Sequence, residues 1–193
     1  MASSINASTT SGIVQTADTS GILNLQSNGT TKVAVSSSGV DVTGLSKSSL
    51  PTGSVLQVVN ATYGVEVFNA TSTYADTGLT ATITPTSATS KILVLVTQAG
   101  CFKVTGNTYL GLQLLRGASV IQHIERLGGY TNNTTSNDFG SCSSSYLDSP
   151  ATTSATTYKT QFSSIANLAS VGVQASTASI ISVSTITLME IAA

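Results

Sequence analysis

Between Leu23 and Val42 the apolar residues fall in three alternating pairs, Leu23/Leu25, Val33/Val35 and Val40/Val42, separated by Asn28-Gly29 and Ser38-Gly39. Alternation with period two marks a strand with one dry face. Asn-Gly between two such runs is the strongest short-range hairpin signal a sequence carries. Each run, however, brings only two side chains to the dry face, and an isolated hairpin of that kind is marginal in water. The segment therefore needs a covering surface, and copies of itself are the expected source.

The rest of the composition fits an all-β chain. Ser and Thr make up roughly a third of the residues, far above ordinary usage. Charged residues are only 8%, against about a quarter in an average soluble domain. Hydroxyls stand where charges usually wet a surface, and Thr favours strands through its branched Cβ. No apolar run approaches the length of about 20 residues that a spanning helix needs, so no membrane insertion is expected. Met1–Asn6 has no basic or apolar region, so no secretory signal is expected either. The net charge is −1 and the seven Lys and Arg are scattered, which argues against a phosphate-tracking groove and hence against nucleic acid. With no export signal, Cys101 and Cys142 are expected as thiols, Cys101 as a small buried hydrophobe.

Along the chain, glycines at 12, 21, 29, 39 and 44 punctuate a strand-turn-strand ribbon over residues 1–50, ending in the linker SKSSLPTG. Residues 51–193 carry longer strands. Lys91 to Thr97 (KILVLVT) is a continuous apolar run, expected to be a strand buried on both faces. Tyr109 to Arg116 and Ser119 to Ile124 are expected as strands joined by a turn at Gly117-Ala118; Ile121 to Leu127 could form a turn or two of helix but is too short to stand alone. The closing run IISVSTITLMEI is the most apolar and is expected in the middle of a sheet, since at an edge it would invite aggregation. Eight or so strands without helices point to a sandwich, jelly roll or barrel.

Little in the chain carries chemistry. The lone His123 could share a strand face with Glu125, but it lacks an evident nucleophile; an exposed polar edge is the plainer reading. One His and two distant Cys do not make a zinc site, and the carboxylates form no dense acidic loop for calcium. No catalytic, cofactor-binding or metal-binding residue is assigned, no cofactor is expected, and the chain is not expected to be an enzyme. The stretch most shaped for contact is Gly128 to Pro150, a Ser-rich loop by composition. In it Tyr130, Phe139 and Tyr146 sit among Asn132, Asn133, Asn137 and Asp138. Rings among adaptable amides are how loops bind polar surfaces, so these seven are the candidate receptor contacts, with a host surface glycan as the expected ligand. In the plainer reading the rings plug one end of the sandwich.

The segments TADTSGILNL, QSNGTT and VAVSSSGVDVTG resemble the shaft and linker pieces of tailed-phage fibre proteins. PTGSVLQV, ITPTSATSKILVLV, SYLDSPATTSATTY and STITLMEIAA are similar to the head domains that follow such shafts. The resemblance implies a virion surface protein, assembled in the host cytoplasm. It implies a homotrimer with a jelly-roll head similar to the tumour necrosis factor fold. In that setting Ile22, Leu23, Leu25, Val33, Val35, Val40 and Val42 would attach and trimerise. The partners would be other virion proteins of tail, vertex or capsid. Fewer than about 50 residues precede the head, which favours a short fibre, a head fibre or a capsid decoration protein over a long tail fibre.

Overall fold

The computed structural model describes residues 22–37, 39–42, 50–132, 136–166 and 169–193. The chain divides into two compact units, Met1–Ser49 and Leu50–Ala193. In the first, β1 (Leu23–Ser27), β2 (Thr30–Ser36) and β3 (Gly39–Val42) form a three-stranded antiparallel sheet in sequence order. Asn28 and Gly29 make the two-residue turn between β1 and β2, with φ of 50° and 73°. Positive φ at both central positions is what a type I′ hairpin demands, and Asn-Gly supplies it.

The second unit contains β4 (Val55–Tyr63), β5 (Val67–Asn69), β6 (Ala75–Ile83), β7 (Lys91–Lys103), β8 (Leu110–Arg116), β9 (Ser119–Gly128), β10 (Asn137–Asp148), β11 (Thr156–Ser164), β12 (Val171–Val173) and β13 (Ser184–Ile191). One sheet has the order β4-β13-β7-β10, with β12 and β5 continuing from the far end of β7; the other has the order β6-β11-β8-β9. All pairings are antiparallel. Successive long strands pass from one sheet to the other except at the β8–β9 hairpin, and the last strand returns to lie beside the first. This winding is a jelly roll, so the chain is all-β with a β-sandwich as its larger unit. Among the described residues there is no helix.

The closing strand does lie inside its sheet, β13 running between β4 and β7. Gly53 N–H donates to the Ala192 carbonyl (2.8 Å) and Ala192 N–H to that of Ser54 (2.9 Å), which fastens the end of the chain to the start of the unit. The two strands expected on either side of the Gly117-Ala118 turn are formed, and β9 runs on along β8 through Ile121 to Leu127, where the sequence leaves a helical turn open. Pairing with an apolar neighbour overrides a few residues of helix propensity.

The two sheets bury two apolar clusters. One gathers Leu79, Ile83, Ile92, Val94, Leu114, Tyr158, Ile186 and Leu188; the other gathers Cys101, Leu110, Leu112, Phe162, Val171 and Val173. Between them along the strands runs a wholly buried polar bridge. Gln98 Nε2 donates to Ser184 Oγ (2.9 Å), Thr160 Oγ1 donates to Gln98 Oε1 (2.9 Å), and Thr160 also meets the Thr77 hydroxyl (2.5 Å). Each sheet thus satisfies polar groups of the other, which pins their relative register, because an unpaired group here would bear its full desolvation cost.

Candidate functional site

The first feature with functional shape is an uncovered face of the β4-β13-β7-β10 sheet. Cross-strand register lays out three rows on its outer side: Val58–Met189–Leu93–Leu147, Asn60–Thr187–Leu95–Ser145 and Thr62–Thr185–Thr97–Ser143. None of these twelve positions is charged. Val58 is 55% exposed and Leu147 51%. Strand β7 therefore departs from expectation on one side. Ile92, Val94 and Val96 are buried in the core, while Leu95 on the other face stands open in a single chain. Sequence reasoning did not single out Val58, Met189, Leu93 or Leu147. The signal was there in KILVLVT, since a strand apolar on both sides belongs between two covers.

The small sheet shows the same condition. Its register sets Leu23 against Val35, Leu25 against Val33, Val33 against Val42 and Val35 against Val40. Opposed residues of antiparallel strands share a face. Leu25 is 48% exposed and Val40 65%, and Ile22, Leu23 and Val35 are exposed as well. Val33 is half-buried, and the side chain of Val42 lies outside the described residues.

The predicted receptor contacts are spread over several environments. Residues 137–148 are strand β10 rather than loop, paired along nearly the whole of β7. A long apolar strand with an open edge recruits even a Ser-rich partner, because strand pairing is decided by neighbours more than by propensity. Tyr146 points inward and packs against the first core cluster. Phe139 packs against the second, and its ring occupies the space above Gly129, where a Cβ would come within 2.4 Å of it. Asn137 Nδ2 donates to the Gly129 carbonyl (3.2 Å). Tyr130 and Asn132 are exposed, Tyr130 meeting Tyr109 edge-on with centroids 5.8 Å apart. Lys103 Nζ, wholly buried, donates to Thr131 Oγ1 (2.5 Å) and anchors this turn from below. Asp138 lines a cavity of about 430 Å³ with Phe102, Ile180 and Ser182. Asn133 lies outside the described residues. The structure thus turns Phe139 and Tyr146 into packing groups and leaves Tyr130 and Asn132 at the surface.

Titratable groups gather at one place. Cys101 and Cys142 are free thiols on the paired strands β7 and β10, and Cys101 Sγ donates to the Gln98 carbonyl (3.2 Å). Interaction with the Cys142 sulfur, and then burial, pushes the Cys101 thiol up, while the same interaction holds the Cys142 thiol below the ordinary cysteine range. Glu125 adds a nearby negative charge. It is not beside His123: an irregularity in the β8–β9 register sets Glu125 opposite Leu112, which faces the core, and His123 opposite Gln113. The expected shared face of His123 and Glu125 is therefore not formed. Among the described residues no group of three or more His, Cys, Asp or Glu is placed to hold a metal ion, and no helix is long and apolar enough to cross a membrane.

No protein-family model matches the chain, and no curated protein matches it. Among solved structures it is similar to T=1 particles derived from infectious bursal virus, at 12% identity and a TM-score of 0.33, covering 72% of this chain and 41% of that one. A mutant VP2 protein of infectious bursal disease virus, also as derived T=1 particles, gives 13% identity and a TM-score of 0.34, covering 97% of this chain and 53% of that one. The chain spans about half or less of the length of these viral proteins.

Proposed function

We propose that this chain is a bacteriophage virion structural protein, a homotrimeric surface appendage. Its N-terminal segment attaches to the particle and its jelly roll is displayed outward. The observation that carries the reading is the block of twelve uncharged positions on the outer face of the β4-β13-β7-β10 sheet, with Val58, Met189, Leu93 and Leu147 across it and Lys91 in the row beyond them. A soluble monomer rarely leaves a contiguous face of this kind bare, and a face without charges can meet a copy of itself without burying an unpaired ion. Burial at about 25 cal/mol per Å² over an obligate interface of about 2,000 Å² or more makes assembly inseparable from the stability of the chain. The number three and the virion setting come from the resemblance of the shaft-like and head-like segments to phage fibre proteins. The apolar side of the small sheet supports the attachment role, because Leu25, Val35 and Val40 are exposed on it.

A capsid decoration protein is the variant in which that apolar side lies on the shell. Quantitative mass spectrometry of purified particles distinguishes the two. Some dozens of copies or fewer identify a fibre, and hundreds identify decoration. Absence of the chain from purified particles overturns both.

A further inference from the structure

The outer face of the β6-β11-β8-β9 sheet bears a hollow of about 300 Å³. Ser72, Tyr74, His123, Arg126, Ser163 and Ile165 line it. The hollow depends on a missing side chain. A Cβ at Gly111 would lie 2.3 Å from Ile165 Cδ1 and 2.7 Å from the Tyr74 hydroxyl, so only glycine lets those two walls close over β8. Beside Gly111 in register is Ser163, wholly buried, whose hydroxyl has no hydrogen-bond partner. A buried hydroxyl is ordinarily satisfied, and an orphan one asks for an explanation such as a ligand.

The charge balance points the same way. Among the described residues Arg126 makes no ion pair. The neighbouring carboxylate of Glu125 is engaged elsewhere, its Oε1 accepting the backbone N–H groups of Arg126 (2.8 Å) and Leu127 (3.0 Å). The other charged pair of this sheet, Lys159 and Asp76, is closed on itself at 2.9 Å. An unpaired guanidinium fork beside an imidazole, over a buried hydroxyl, is arranged for an oxyanion.

We propose that this hollow binds an acidic sugar residue, a pyranose bearing a carboxylate. Arg126 takes the carboxylate through its fork. The Tyr74 ring and Ile165 lie against the apolar face of the pyranose, and Ser163 Oγ and His123 hydrogen-bond to its hydroxyls. An inorganic anion would use Arg126 but leave the Tyr74 and Ile165 walls idle, whereas a neutral sugar would leave the guanidinium unpaired. The volume suits one sugar unit. The inference rests on the hollow alone and holds whether or not the chain belongs to a virion.

Ligand-observed NMR and calorimetry on the full chain test it, with glucuronate, glucose and inorganic phosphate as probes. Glucuronate should bind saturably, with glucose and phosphate each at least about tenfold weaker. Arg126→Gln should weaken glucuronate about tenfold or more without lowering the melting temperature. Ser163→Ala should also weaken it, yet melt at the same or a higher temperature, because it removes an unpaired buried hydroxyl. That opposite movement of affinity and stability separates a binding role from a structural one. Equal affinity for glucose and glucuronate, phosphate binding as tight as glucuronate, an undiminished Arg126→Gln variant, or no saturation by about 50 mM glucuronate would each overturn the proposal.

Discussion

Glu190 is wholly buried and among the described residues makes no ion pair; its carboxylate is held by hydrogen bonds. Thr86 donates to Oε1 through both its N–H and its hydroxyl (2.7 Å each), and Gln57 Nε2 donates to Oε2 (2.6 Å). Burial pushes the carboxyl up, but these bonds, joined by Ser90, outweigh it and hold it below the ordinary value of 4.5. A lowered folded-state pKa contributes stability that is complete above the unfolded value and is lost as pH falls through the folded one. Glu190→Gln should therefore cost about 1–3 kcal/mol at pH 7, and the gap to the parent should narrow below about pH 4.5. Urea unfolding midpoints at neutral and acid pH measure it; a gap independent of pH would contradict the assignment. The thiol pair gives a second test at this scale. A small disulfide reagent should be attacked first by Cys142, the thiol held down by its neighbour. Cys101 then displaces the reagent's thiol from Cys142, closing an intrachain bond between β7 and β10. Intact mass after mild treatment should show two hydrogens lost and no adduct. A stable mixed disulfide at Cys142 would mean that the two sulfurs cannot reach bonding geometry.

Among the elements, β6 shows how a turn residue can act inside a strand. Gly78 has φ +88°, and a Cβ there would come within 2.2 Å of the Tyr63 ring. It sits where the β6–β11 register shifts, between the Thr80–Lys159 and Asp76–Gln161 pairs. Gly78→Ala combines backbone strain with a clash and should cost about 2–4 kcal/mol, read as a lower denaturation midpoint with an unchanged slope. A neutral outcome would mean that Tyr63 has room to swing away. Nothing in the flanking ADTGLTATI marks this glycine as more than a weak spot in a strand. By contrast, alternation in Leu23–Val42 and the Asn28-Gly29 turn read directly into β1, β2 and β3, and the apolar closing run read directly into a central β13. Local pattern carries local structure. The Ser-rich β10 was illegible because its reason for being a strand is the edge of β7, not its own residues. The hollow over Gly111 was illegible for a related reason: Tyr74, Arg126 and Ser163 lie on three strands or loops that only the jelly-roll winding assembles.

For the whole molecule, the two outer faces of the sandwich differ in kind. One bears Lys159, Asp76, His123 and Arg126 around hydroxyls; the other carries three rows of Thr, Ser, Asn and aliphatic side chains without a charge, with Lys91 in the row beyond them. The charged face suits water and polar ligands, and the uncharged one suits a copy of the chain. Leu93→Glu places a carboxylate in the middle of the uncharged rows and leaves the core cluster untouched. It should release folded monomers, since one buried unpaired charge per chain outweighs much of the apolar gain. The most direct test of the account is the mass of the parent protein in dilute solution by sedimentation equilibrium. A homotrimer sediments as a single species of three times the 19.5 kDa chain mass, persisting at micromolar concentration and below. A folded species of one chain mass under those conditions would contradict it.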